Sequence, residues 1–235
     1  MPSTTKVEVF SAAFTTNRSR FRLLEESAER QGLRVNFFGA DRAFPEWEPS
    51  NSTFLTKVIL GKLIEVLRES EAEYIVLTDS FDTLCCRWNP EEVIAEIDAA
   101  GGLLISAEAN CFPEGPWHEK YDSVFPESPW RYGNLGQTCG LRRRLIKFFE
   151  DGLERLNLDS SHIQEAFHRM WMEGYPAELD YECQIFQSMF LDVSKNIIWD
   201  GRKVRNPITG SEPMFLHFNG RAPGIEEWAL KLKGN

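Results

Sequence analysis

The 235-residue chain predicts an α/β protein with a mostly parallel central sheet flanked by helices. Three observations predict it. Short apolar, β-branched runs alternate with longer stretches of helical periodicity, the pattern that builds βαβ units. The run Tyr74-Ile75-Val76-Leu77-Thr78 is apolar almost throughout, as in a strand buried on both faces of a parallel sheet. It runs straight into Asp79-Ser80-Phe81-Asp82, so two carboxylates stand where an open α/β sheet receives its ligands, beyond the carboxyl ends of the strands.

Composition narrows the functional classes. Hydrophobic content of 42% and charged content of 26% are those of a soluble globular protein. The net charge of -10 argues against nucleic acid or an anionic membrane surface as the main partner. It also means that a phosphate ligand needs a local cation or a few well-placed basic residues. No stretch is long and apolar enough to span a bilayer, and Met1 to Lys6 lacks the apolar core of a signal peptide. Cys85, Cys86, Cys111, Cys139 and Cys183 form no Cys-x-x-Cys pair, which excludes a zinc knuckle and leads us to expect reduced thiols in a cytoplasmic protein. Without repeats, low-complexity segments or a clear linker, residues 1–235 are expected to form one domain.

Taken in order, Val7-Glu8-Val9-Phe10-Ser11 reads as a first strand. Ser11 and Ala12 at its end are small enough for a flat nucleobase to approach the backbone, although a tight strand-to-helix turn needs them equally. Arg20 to Gln31 reads as a helix with Gly32 just past its end, and Val35 to Phe38 as a second strand. Residues 39–53 carry Asp41, Pro45, Pro49 and Asn51 and read as an irregular loop. Phe54 to Arg68 has a clear apolar helical face. Lys57 falls in its first turn, where a cation opposes the helix dipole unless an anion is near, so it is a candidate phosphate contact as well as an ordinary surface lysine. After the Tyr74–Thr78 strand, Asn89-Pro90-Glu91-Glu92 has the cap, proline and acids of a helix start. Gly101-Gly102 ends that helix. Leu103 to Ala107 is a further buried strand, with Glu108 at its end as Asp79 is at the end of the earlier one.

Asn110 to Leu135 reads as a long aromatic loop, with Phe112, Trp117, Tyr121, Phe125, Trp130 and Tyr132 suited either to sugar faces or to a satellite cluster. Leu141 to Leu156 and His162 to Met172 read as amphipathic helices, with Arg142, Arg143 and Arg144 on a solvated face. Glu182 to Phe190 reads as a shorter helix. Ile197-Ile198-Trp199 and Met214-Phe215-Leu216 read as late strands, the second leading into His217-Phe218-Asn219-Gly220.

Paired carboxylates at a strand end suit a hard divalent cation that bridges protein to a diphosphate. Asp-x-x-Asp alone is equally an ordinary polar turn. Three spaced motifs add to it. Thr78-Asp79-Ser80-Phe81-Asp82, Ser106-Ala107-Glu108 with Cys111-Phe112-Pro113, and His217-Phe218-Asn219-Gly220 occur in this order across most of the chain. Together they resemble the Asp-Ser-Tyr-Asp, Ser-Ala-Glu with Cys-Trp-Pro, and His-Gly-Asn-Gly of the glycosyltransferase domain of multifunctional procollagen-lysine hydroxylases and related collagen glycosyltransferases.

That resemblance implies a GT-A-like fold with a Rossmann-like sheet and transfer of a hexose, glucose or galactose, from a UDP-sugar. It implies Mn2+, with Mg2+ as the other choice, held by Asp79, Asp82 and His217. It assigns Lys57 to the donor phosphates, and Ser80, Glu108, Asn134, Gly136, Asn219 and Gly220 to the donor site. Glu182 and Gln184, with Asp180 beside them, match the family's Asp-Asp-Gln, which works at the sugar. The chain departs from the family in having Leu135 for a serine in Asn134-Leu135-Gly136, Glu182-Cys183 for paired aspartates, and Phe112 for a tryptophan. The leading expectation is a metal-dependent glycosyltransferase acting on a hydroxylysine- or glycan-type hydroxyl. A phosphate-transfer enzyme using the same carboxylates is a second possibility, though no Gly-x-x-x-x-Gly-Lys loop is present. A catalytically weakened nucleotide-sugar or glycan-binding module is the alternative outside enzymes.

Overall fold

The computed structural model describes residues 6–40, 52–125, 127–158 and 162–234. The expected loop over 39–53 lies almost wholly outside them. In chain order the elements are β1 (Val7–Ala12), α1 (Arg22–Arg30), β2 (Val35–Phe38), α2 (Ser52–Glu69), β3 (Tyr74–Asp79), β4 (Thr83–Cys85), α3 (Pro90–Ala99), β5 (Leu103–Glu108), α4 (Trp117–Val124), β6 (Tyr132–Leu141), α5 (Arg142–Leu158), α6 (Ile163–Met172), β7 (Glu178–Asp180), β8 (Phe186–Ser188), β9 (Ile198–Trp199), β10 (Val204–Arg205), β11 (Phe215–His217) and α7 (Ile225–Lys233).

The central sheet has the order β2-β1-β3-β6-β5-β7, and only β6 runs against the other strands. This is the mostly parallel α/β sheet that the apolar runs predict. The two-residue alternation of a strand sends Ile75 and Leu77 to a core shared with Leu67 and Phe148, and Tyr74 and Val76 to a second core with Val93 and Ile97. Both faces of β3 are therefore covered, which is why its sequence shows no polar alternation. The α3 start forms as its composition dictates: Asn89 accepts from the amides of Glu91 and Glu92, with Pro90 in the first turn.

Because every strand but β6 points the same way, Asp79, Glu108 and Asp180 all arrive at one edge, at the ends of β3, β5 and β7. A second sheet, β4-β11-β8, stands beside that edge. In it β11 is antiparallel to β4 and parallel to β8, with His217 opposite Thr83 and Ser188. Along β5 and β6 the register steps from Ile105–Thr138 to Ser106–Asn134, so residues 135–137 bulge out of that ladder.

Three expectations need correction. The stretch 110–135 is not all loop, since it holds α4 and the start of β6. Its aromatics are mostly interior: Trp117, Tyr121, Trp130 and Tyr132 are buried, Tyr121 stacks on Trp171 at 4.2 Å between centroids, and Phe112 is exposed. Glu182 to Phe190 is not a helix. Cys183 takes φ +55°, a left-handed conformation that a right-handed helix excludes, and Phe186–Ser188 pairs with β11 as a strand. Finally, the Arg142–Arg144 run is not simply a solvated face, because Arg142 donates to Ala72 O at 3.0 Å and Arg144 to Gly101 O at 3.1 Å.

Candidate functional site

Asp79 ends β3, and Asp82 lies in the short bend that leads from β3 into β4. Pairing of β4 with β11 then carries His217 to both carboxylates, and the turn is fastened by Phe218 N donating to Asp82 O at 2.7 Å. His217 Nε2 lies 3.3 Å from Asp79 Oδ2 and 3.4 Å from Asp82 Oδ1, and one ligand atom from each of the three falls within 4.8 Å of the others. The imidazole is only 2% exposed, whereas the Asp79 and Asp82 side chains are 55% and 37% exposed, so the open side of the group is the carboxylate side. Burial alone would lower the imidazole's pKa. The Asp82 and Asp79 carboxylates outweigh that and raise it to about 10.

The triad could hold a divalent cation. Neither His217 nitrogen, although buried, makes a hydrogen bond. An octahedral ion with bonds of about 2.1 Å sets adjacent ligands about 3 Å apart, close to the 3.3 and 3.4 Å between His217 Nε2 and the two carboxylates. One imidazole and two carboxylates form a donor set acceptable to manganese or magnesium.

A cavity of about 330 Å³ opens over the triad, bounded also by Ala12, Asn134, Gly136, Asn219 and Gly220. Gly136 belongs to the β6 bulge and presses on the triad. A Cβ added there would lie 2.6 Å from Asp79 Oδ2 and clash with the His217 ring, so no larger residue fits without displacing them. Ser11 and Ser80 fasten the strand ends instead of facing the cavity. Ser11 Oγ donates to Thr78 O at 2.7 Å and Ser80 Oγ to Ala12 O at 2.6 Å, which joins β1 to β3 beside the carboxylates.

Glu108 is 3% exposed and lies behind this wall. Its Oε1 accepts from Asn134 Nδ2 at 2.9 Å and Gln164 Nε2 at 3.1 Å, and its Oε2 accepts from Asn219 Nδ2 at 2.7 Å. Burial raises its pKa to about 7 against the lowering effect of those three donors. Asn219 Oδ1 in turn accepts from Ser188 Oγ at 2.8 Å, so Glu108 ties β5, β6, α6 and the end of β11 together.

The remaining candidates lie elsewhere. Lys57 falls in the second turn of α2 and not the first, because the helix already starts at Ser52, and its neighbours Thr56, Ile59 and Leu60 line the cavity while Lys57 itself does not. Asp180 is buried, and both its oxygens are taken by backbone amides: Gln184 N at 2.7 Å, Ile185 N at 2.9 Å and Phe186 N at 2.8 Å. Burial lifts its pKa to about 6 despite these bonds. Glu182 borders a separate depression with Phe125, Tyr181 and Ile208, and Gln184 lines neither space.

Two cavity residues escaped the sequence reading. His162 caps α6 by accepting from Gln164 N at 3.1 Å, and burial lowers its pKa. Gln164 joins the Glu108 network from the first turn of α6. In the sequence both look like an unremarkable helix start, and only the packing of α6 on β6 brings them to the cavity.

The comparisons with known proteins identify the family and the fold. The family model described as the PLOD GT domain matches residues 3–224. Uncharacterized protein R699 of Acanthamoeba polyphaga mimivirus is 27% identical over 163 residues, 68% of this chain and 34% of that protein. The human multifunctional procollagen lysine hydroxylase and glycosyltransferase LH3 is 25% identical over 171 residues, 68% of this chain and 22% of that protein. The chain thus spans about a third and about a fifth of these relatives' lengths. Among solved structures, a glycosyltransferase involved in glycosylation of the major capsid of PBCV-1 superposes with a TM-score of 0.53 at 12% identity, covering 97% of this chain and 99% of that one, and so shares the fold. With nearly its whole length matched by the family model, the chain belongs to the PLOD GT domain family of glycosyltransferases.

Proposed function

We propose that the protein transfers a hexose from a UDP-sugar to an acceptor hydroxyl, with Mn2+ held by Asp79, Asp82 and His217. One observation carries the reading: the neighbouring carboxylates of Asp79 and Asp82 and the sequence-distant His217 converge at the open edge of the sheet, with the exposed carboxylates facing the cavity. A divalent ion bound there would offset the negative charge that develops on the departing diphosphate. The chain's own residues supply the rest of the site. Ala12 leaves the end of β1 bare, so that a flat base can lie against the backbone. Gly136 keeps the β6 bulge low enough for a diphosphate to reach the triad. Asn134 and Asn219, held from behind by Glu108, present fixed polar edges to the sugar-nucleotide. The acceptor is a hydroxyl of the hydroxylysine or glycan type, by analogy with the activity in the name of the human relative.

A second reading, a nucleotide-sugar-binding module with weakened catalysis, is favoured by one specific observation. Asp180 is committed to backbone amides and Glu182 borders another depression, so neither lies in the cavity wall. Calorimetry with Mn2+ and UDP, followed by turnover of UDP-glucose and UDP-galactose with hydroxylysine peptides and glycans, separates the readings. Metal-dependent UDP binding with sugar transfer supports the enzyme. Binding without transfer or donor hydrolysis supports the module. No UDP binding with or without Mn2+ overturns both.

A further inference from the structure

The bulge in β6 leaves the Leu135 amide outside the β5–β6 ladder, and a buried amide without a partner costs free energy. Gln164 takes it: Leu135 N donates to Gln164 Oε1 at 3.1 Å. The other end of the same side chain donates from Nε2 to Glu108 Oε1 at 3.1 Å and to Phe112 O at 2.8 Å. Its orientation is fixed by its partners, because a backbone N–H can only donate while a carboxylate and a carbonyl can only accept. Gln164 is 7% exposed and follows the His162 cap, so the first turn of α6 holds it rigidly.

The next residues carry that constraint to the triad. Asn134 donates to the same Glu108 oxygen as Gln164, and its Oδ1 accepts from Gly136 N at 2.8 Å. Gly136 is the residue whose backbone approaches Asp79 and His217 too closely to carry a side chain. On the far side of the bulge, Gln137 Nε2 donates to Thr78 Oγ1 at 3.0 Å, one residue before Asp79. The bulge is therefore pinned at both ends, by Gln164 and Glu108 on one and by β3 on the other. Small displacements between these pins change the space left for an ion and its diphosphate.

We propose that Gln164 is a positioning residue that locks the 135–137 bulge against Asp79 and His217 and so sets the tightness of the cation and diphosphate site. The inference rests on the proposed metal-dependent sugar-nucleotide reading. Gln164→Met keeps the length of the side chain and removes all three hydrogen bonds. In the folded variant, the Mn2+ dissociation constant with UDP present should rise about tenfold, the usual scale for losing a partner behind a metal ligand. Hydrogen exchange at the Gly136 amide should quicken in the same variant without metal. A purely structural role would lower the melting temperature and leave Mn2+ affinity unchanged well below it. Should Gln164→Met fail to fold, Gln164→Asn, whose shorter amide cannot span Leu135 N and Glu108 together, is read in the same two ways. Mn2+ affinity and Gly136 exchange both within twofold of wild type would overturn the proposal. If wild type binds no Mn2+, the metal reading fails on its own, and Gly136 exchange alone then decides whether Gln164 holds the bulge.

Discussion

Asp79 and Asp180 are the same residue type at the same place in the architecture, the carboxyl end of a strand at one edge of one sheet, yet their surroundings are opposite. Asp79 is more than half exposed, and its one recorded close partner is the His217 imidazole. Asp180 is buried, and its oxygens accept three consecutive backbone amides. Glu108, between them, accepts three side-chain amides instead. Position at the edge makes a carboxylate available, but the donors around it decide whether it binds a ligand, holds other side chains or holds a turn. In β7–β8 the donors are close because the chain reverses through Cys183 at φ +55°, which turns the amides of residues 184–186 toward Asp180. After β3 the bend at Ser80 is fastened to β1 and leaves the Asp79 carboxylate beside His217.

The sharpest way to break this contrast is to remove the triad. His217→Ala should abolish metal-dependent UDP binding and lower transfer by at least about a hundredfold, on the scale of losing a group that stabilises transition-state charge. Gly136→Ala should do nearly as much without deleting any ligand, since the methyl must push Asp79 or the His217 ring aside. Calorimetry with Mn2+ and UDP checks both. Full affinity in Gly136→Ala would show that the bulge is more compliant than its contacts imply.

Asp180→Ala should show the reverse pattern. Three buried amides lose their acceptor, each worth about 1–3 kcal/mol, so a loss of more than about 3 kcal/mol in urea unfolding is expected. Metal-dependent UDP binding should survive wherever the variant is folded. A variant as stable as wild type but without turnover would move Asp180 from holding the turn to catalysis.

Glu108 sharpens the comparison through pH. Its pKa is raised from the ordinary 4.5 to about 7, so the native state holds an extra proton between those values. The stability it contributes is full below about pH 4.5 and is lost as pH rises through about 7. The difference is on the order of 3 kcal/mol. Unfolding free energies of wild type and Glu108→Gln at pH 5 and pH 8 test it, with wild type losing more than the variant across that interval. Parallel losses would mean that Glu108 titrates normally and is solvated.

Much of this was legible in the sequence wherever local signals and packing agree. The doubly buried β3, the Asn89-Pro90 helix start and the glycines at 101 and 102 all formed as their residues dictate. The approach of His217 to Asp79 was legible only through the resemblance, because strand pairing between β4 and β11 leaves no local trace. Gln164 was not legible at all, since nothing in a helix's first turn shows which bulge it will meet. The Glu182–Phe190 helix failed because a left-handed Cys183 and the three amide bonds to Asp180 outweigh an apolar spacing that fits a helix equally well. Tertiary partners decided each of these places, and single-residue propensities differ by too little to do so.

The smallest expected effects belong to Lys57 and Glu182, which together test how far the family pattern extends beyond the cavity wall. Lys57 stands in the second turn of α2, beside lining residues but not among them. Lys57→Ala should change stability by less than about 0.5 kcal/mol, as for other partly exposed lysines. If its long side chain swings to the diphosphate when donor binds, the donor's KM should rise several-fold while kcat stays nearly constant. Unchanged kinetics would leave it a solvated helix residue. Glu182→Gln is the complementary probe, since Glu182 faces Phe125 and Tyr181 across a separate depression. Turnover within about twofold of wild type is expected. A fall beyond about tenfold in kcat at unchanged UDP affinity would instead mean that the β7–β8 turn moves to bring Glu182 to the sugar, because only a group acting in the transition state lowers turnover while leaving binding intact.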